Sequence, residues 1–271
     1  MLGCLTGPLE ISNLERHSKG ERHGAFGDDR DLTLRTVAQS KHHPVDWEDQ
    51  GNPVARSEPR RGRRLTLAAT AHCPAGPLVV YSAHLEVFCG MFSRIAQFAD
   101  ILCDSREQIK QGFFHQAILG DLNTMAHGLA RLSPKYCCDK MRYWSIGRPE
   151  AHFWHHNVIS VPDTTFSPER DGQLAGVEEQ DTASMNARLR WWGLPEDVCK
   201  EALNPGFSDP FDPVQTITLD NPNYRIFGYG LVKGKLDWLL LRRLTVVMKS
   251  IGNDSYSASD HKWLSADVTF S

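Results

Sequence analysis

Up to about residue 60 the chain is polar and weakly periodic. The stretch "ERHSKGERHGAFGDDRDLTLR" mixes both charges with glycine and predicts one short strand, over Leu32 to Val37. "HHPVDWEDQGNPVARSEPRRG" reads as loop, because its prolines interrupt any helix or ladder. From Arg64 the pattern changes. "RLTLAATAH" sets Leu65, Leu67, Ala69 and Ala71 on one strand face, and "PLVVYSAHLE" gives a second strand after the Pro-Ala-Gly-Pro turn at 74–77, so a hairpin is expected. "MFSRIAQFADILCDSREQIKQG" carries Phe92, Ile95, Phe98, Ala99 and Leu102 at helical spacing, with Gly112 as its stop. "FFHQAILGDLN" returns to strand. Strand, helix, strand in that order predicts a crossover unit of an α/β domain.

Residues 124–216 read as loops and helices rich in aromatics and histidine. They include a helix around "TASMNARLRWWGLPEDVCKEAL" and an exposed loop, "FSPERDGQLAGVEEQD". Strands resume with "VQTITL", continue in "KLDWLLLRRLTVV" and close in "HKWLSADVTF", where Leu264, Ala266, Val268 and Phe270 alternate. No internal repeat or low-complexity tract interrupts the chain.

Composition narrows the class. The 271 residues are 41% hydrophobic and 23% charged, ordinary for a globular protein with a substantial core. A net charge of −3 gives no global pull toward nucleic acid or anionic membrane. No apolar run approaches the ~20 residues of a membrane span, and the first residues lack a signal-peptide pattern. Seven irregularly spaced cysteines argue against a disulfide framework and for a reducing compartment, so an intracellular location, cytoplasmic or nuclear, is expected.

The candidate chemistry sits at strand ends. Asp260-His261 stands at the mouth of the last strand. By itself the pair is equally a turn aspartate and a strand-edge histidine. His84 and Glu86 close "VVYSAHLE", and their spacing sends both to the same side of an extended chain. Asp121 and Asn123 close "AILGDLN" at the same spacing. Asp237 lies inside the apolar run "KLDWLLL", where a carboxylate needs a partner, and His261 is the obvious one.

The strings "HLE" (84–86), "GDLN" (120–123), "LDWLLL" (236–241) and "SDH" (259–261), in this order and each tied to a strand, resemble the endonuclease/exonuclease/phosphatase superfamily of metal-dependent hydrolases. "GFSDPFDP" (206–213) resembles a further segment of that family. The resemblance covers roughly residues 60–271. It implies a DNase I-like fold, a four-layer sandwich of two packed β-sheets flanked by helices, preceded by an atypical segment over 1–59. It also implies a phosphoesterase that uses Mg²⁺ (or Mn²⁺). The reaction then suggests roles. His261 would be the general base and Asp237 would fix its tautomer. Asp121 would align the water or help hold the metal, Asn123 would donate to a phosphoryl or leaving oxygen, and His84 would donate to the phosphate. Asp260 would be a metal ligand, and Glu86 would reach the same ion. Glu86 reads equally well as a surface or supporting residue.

Other features weigh less. The arginines at 60, 61, 63 and 64 read as a solvated strand entry, and "RWW" at 190–192 as helix packing. The Cys137-Cys138 and His155-His156 pairs match no common zinc module. The family's opening, an Asn-ending strand and then a strand ending in a metal-binding Glu, has no counterpart before residue 60. A chain shortened at its N-terminus is therefore expected, with weakened metal affinity. Two readings stay open: a metal-dependent phosphoesterase, or a catalytically impaired relative that binds phosphorylated ligands or a partner. The charge balance favours a small-molecule or lipid-derived phosphate over long duplex DNA.

Overall fold

The computed structural model describes residues 32–37, 66–86, 90–124, 150–163, 165–166, 193–230 and 233–271. Its centre is a five-stranded mixed sheet. The strands are β1 (Leu32–Thr36), β2 (Leu67–Cys73), β3 (Gly76–His84), β4 (His115–Asp121) and, further along the chain, β7 (Asp237–Arg242). They lie in the order β1-β2-β3-β4-β7. Only β3 and β4 pair in parallel, and the helix α1 (Met91–Lys110) is their crossover. Two short strands, β5 (Arg225–Ile226) and β6 (Tyr229–Gly230), form a small ribbon. β8 (Leu244–Gly252) and β9 (Trp263–Phe270) form a second sheet.

The central sheet is buried on both faces, which is why its strands read as near-continuous apolar runs. Tyr81, Ala83, Ile118, Trp238 and Leu240 pack on one face with α1 and with α2 (Glu150–Trp154) and α3 (Glu196–Glu201). Ala117, Leu239 and Leu241 face the other way, onto Leu264, Ala266, Val268 and Phe270 of β9. The result is two packed β-sheets with helices on the outer face of one. α1 runs uninterrupted because nothing in "MFSRIAQFADILCDSREQIK" breaks a helix, and Gly112 ends it with φ +92°. Its fully buried Ile95, Phe98 and Leu102 each contribute about 1.5–3 kcal/mol. Ionic contacts fix the neighbouring helices. Arg94 meets both Glu150 oxygens at 2.9 Å, and Arg106 donates to Asp163 at 2.7 Å and to the Glu201 carbonyl at 2.9 Å.

Several sequence expectations change. "VQTITL" is not a strand: Asp212 Oδ1 accepts the Val214 and Gln215 amides at 2.7 Å and winds the chain into a turn. "KLDWLLLRRLTVV" is two strands, broken at Arg243, whose φ is +50°. In β2 the deeply buried positions are Ala68 and Thr70, the face opposite Leu67, Ala69 and Ala71, because Ala68 sits across from Tyr81 on the helix side. Of the helix expected at 182–203 only Glu196–Glu201 is described as helical, and its earlier part lies outside the described residues. The boundary at residue 60, the arginines at 60–64, Cys137, Cys138 and residues 190–192 also lie outside them. β1, from the first sixty residues, pairs with β2 over five positions. Among the described residues, no helix is long and apolar enough to cross a membrane.

At Gly120 the backbones of β3 and β4 approach closely. The φ of Gly120 is +130°, and a Cβ there would sit 2.0 Å from the Ala83 carbonyl oxygen. Gly120→Ala should therefore cost about 2–4 kcal/mol in urea unfolding, through strain and overpacking. A loss below about 1 kcal/mol would contradict this close approach of β3 and β4.

Candidate active site

Register and pleat bring three of the candidate residues together. His84 pairs with Asp121 across β3 and β4, and Asp121 pairs with Asp237 across β4 and β7. Ala117 and Leu119 of β4, and Leu239 and Leu241 of β7, point to the second sheet. By the two-residue period of a strand, Asp121 and Asp237 point the same way, at the rim where the apolar packing ends. Further backbone bonds stiffen that rim: Leu85 N–H donates to the Asp121 carbonyl at 3.0 Å and Leu122 N–H to the Leu236 carbonyl at 2.9 Å.

His261 arrives from the other sheet, in the lead-in to β9. Asn253, at φ +69°, gathers that lead-in by donating to the carbonyls of Ser259 at 2.9 Å and His261 at 2.6 Å. Thr218 links it to the central sheet. Its Oγ1 accepts the amides of Leu236 at 2.9 Å and Asp237 at 3.1 Å, while its carbonyl accepts the Lys262 amide at 2.7 Å. Sequence reasoning missed Thr218, since it lay inside a stretch read as strand.

The central contact is His261 Nδ1 to Asp237 Oδ2 at 2.9 Å. A carboxylate only accepts, so Nδ1 carries the proton and Nε2 is the nitrogen left for chemistry. His84 Nε2 lies 3.7 Å from Asp121 Oδ2. Ligand atoms of Asp121, Asp237 and His261 all lie within 4.8 Å of one another. Burial alone would lower the His261 pKa. The hydrogen bond to Asp237 and the charges of Asp237, Asp121 and Asp260 outweigh it and push the value up from 6.5 to about 9.

The remaining predicted residues stand around this cluster. Asn123 is buried at φ +51°. Its backbone N–H holds Asp121 Oδ1 at 2.7 Å, and one side-chain N–H goes to the Leu85 carbonyl at 2.7 Å, so it orients Asp121. Asp260 is exposed and accepts the Tyr224 hydroxyl at 2.8 Å. Burial disfavours its charge, but Tyr224 and His261 outweigh that and hold its pKa below the ordinary value. Glu86 is buried, its amide bonded to Gln97 Oε1 at 3.1 Å. Neither Asp260 nor Glu86 belongs to the three-residue ligand cluster among the described residues. Behind the site, Lys235 is fully buried against Asp209 and lies 4.3 Å from the Trp238 ring. Burial lowers the Lys235 pKa and raises that of Asp209.

Two carboxylates and an imidazole gathered this closely form a donor set that fits a divalent cation. No protein-family model matches the sequence, and no curated protein matches it. Solved structures do. Members of the endonuclease/exonuclease/phosphatase superfamily are among its structural neighbours. One such protein, from Beutenbergia cavernae, is 12% identical at a TM-score of 0.35, over 88% of this chain and 44% of that one. The catalytic domain of human Nocturnin with bound sulfate is 14% identical at 0.37, over 90% and 62%. A conserved protein of unknown function from Enterococcus faecalis is 14% identical at 0.42, over 89% and 66%. The chain thus spans 44% to 66% of the length of these structures.

Two outcomes follow from the rim. With the site kept metal-free by a chelator, the raised His261 pKa adds stability that is complete below 6.5 and lost as pH rises through about 9. Tm of the parent should fall over that window relative to His261→Gln, and parallel curves would refute the shift. Thr218→Val leaves two backbone N–H groups without their acceptor and should cost about 1–3 kcal/mol in urea unfolding. A neutral result would remove Thr218 as the link between the sheets.

Proposed function

We propose that this chain hydrolyses a phosphate ester by in-line attack of water. The observation that carries the reading is the 2.9 Å contact of His261 with Asp237, made between two sheets at the rim that also bears His84 and Asp121. In its neutral form, which a cation held at Asp121 would favour by offsetting the carboxylate charges that keep the ring protonated, His261 Nε2 takes a proton from the water as its oxygen bonds to phosphorus. The ester P–O bond breaks, and the departing oxygen takes up a proton. Asp237 keeps the imidazole in the working tautomer and stabilises the imidazolium. His84 donates to a phosphoryl oxygen, and Asn123 keeps Asp121 turned toward the reacting centre. A bound Mg²⁺ or Mn²⁺ supplies neutralisation of phosphoryl charge, and Asp121 is the residue that would hold it first. The substrate we favour is a small-molecule or lipid-derived phosphate, given the net charge of −3. The irregular spacing of the seven cysteines supports an intracellular setting, cytoplasmic or nuclear.

One observation favours a second reading. Asp237 is engaged by His261 and Asp260 by Tyr224, so the carboxylate charge offered to an ion falls mainly to Asp121. A chain that binds phosphorylated ligands with little turnover would fit this.

A screen of phosphomonoesters and phosphodiesters with and without Mg²⁺ separates the two. We expect Mg²⁺-dependent turnover, lowered ~10²–10⁴-fold by His261→Ala and comparably by Asp237→Asn. Ligand binding without turnover would favour the second reading, and an undiminished His261→Ala enzyme would refute the first.

A further inference from the structure

A second cluster of potential ligands lies on the helical side of the molecule. α2 does not end at Trp154. It runs into a π-helical turn over His155–Ile159, closed by the Ser160 amide on the His155 carbonyl at 2.8 Å. Such turns are rare in helices and often accompany function. This one follows the exposed His152 and carries the exposed His156, four residues on. Their Nε2 atoms face each other at 2.8 Å, with ring centroids 4.4 Å apart and planes inclined at 73°. His155 stands beside them with its Nδ1 buried, and the three histidines do not form a three-residue ligand cluster among the described residues.

Two exposed imidazoles rarely hold a nitrogen–nitrogen contact of this length without a reason. The contact requires one ring to be neutral and accept at Nε2 while the other donates, and it gains little where water competes. The same separation is the bite of a chelate. Two nitrogens bound cis at about 2.0 Å, a right angle apart, lie about 2.8 Å from each other, whereas a tetrahedral zinc pair needs about 3.3 Å. Tetragonal geometry with nitrogen ligands is the preference of Cu²⁺ and Ni²⁺, and Cu²⁺ stands at the top of the affinity order for such donors.

We propose that His152 and His156 form a bidentate site for a tetragonal divalent transition ion, Cu²⁺ first and Ni²⁺ after it. Both ligands are imidazoles, so the site is chemically distinct from the carboxylate-rich rim and selects against Mg²⁺. It needs no role for His261, and it stands or falls independently of the proposed hydrolysis. The adjacent His155-His156 pair does not supply it. The site comes from the i, i+4 spacing on a helix that changes its winding between the two residues.

The test is Cu²⁺ titration of the full chain, read by electron paramagnetic resonance and calorimetry, beside His152→Gln and His156→Gln. Both side chains are exposed, and circular dichroism of the metal-free proteins checks their fold. The parent should take up one more equivalent of Cu²⁺ than either variant, with two-nitrogen hyperfine structure. Each variant should bind at that site at least about tenfold more weakly, because the second imidazole no longer binds intramolecularly. Excess Mg²⁺ should not displace the ion. Equal stoichiometry and affinity in parent and variants would overturn the proposal. So would Zn²⁺ binding more tightly than Cu²⁺. Should a variant prove misfolded, loss of the His152 and His156 ring signals from the parent's NMR spectrum at one Cu²⁺ equivalent decides instead, and their persistence overturns the proposal.

Discussion

Residues paired across neighbouring strands project from the same face of a sheet, with side chains close enough to interact. His84, Asp121 and Asp237 occupy three such positions in a row, on β3, β4 and β7. Everything else in the candidate active site depends on that register. A slip of one residue would turn a whole strand over and send its polar end to the wrong face. The sheet resists slippage because both faces are buried: Tyr81, Ile118 and Leu240 against the helices, Ala117, Leu239 and Leu241 against the second sheet. Gly120 lets β3 and β4 approach at the point just before the polar residues begin.

The fourth residue cannot come from that ladder. His261 belongs to the lead-in of β9, so the packing between the two sheets sets its distance from Asp237. Leu264, Ala266, Val268 and Phe270 dock β9, and Thr218 bonds the lead-in and the β7 entry at the same time. The Asp209–Lys235 pair holds the neighbouring loop against β7 from behind, with Lys235 also donating to the Phe211 carbonyl at 3.0 Å. A buried ion pair of this kind is tolerated only when its remaining hydrogen bonds are met.

Much of this was legible in the sequence, where periodicity carries the information. The alternation of the last strand named the residues that meet the central sheet, and the stripe from Phe92 to Leu102 falls in the part of α1 that is buried on every side, Arg94, Gln97 and Asp100 included. The polar residues at strand ends declared themselves because the apolar runs stop there. Contacts set by non-local geometry were not legible. No spacing links Tyr224 to Asp260, Asn123 to the Leu85 carbonyl, or Lys235 to Asp209. The strand expected at "VQTITL" failed because a side chain, Asp212, competes for the backbone amides. The break between β7 and β8 was hidden because a run buried on both faces has no period to interrupt.

The candidate site is built on the bond between His261 and Asp237, and an NMR titration of the His261 ring in metal-free protein reads that bond. The expected result is a proton on Nδ1 and a ring that stays charged past neutrality, titrating at about 9, with a return toward 6.5 in Asp237→Asn. A His261 that titrates at 6.5 in the parent and is unmoved by Asp237→Asn would contradict it.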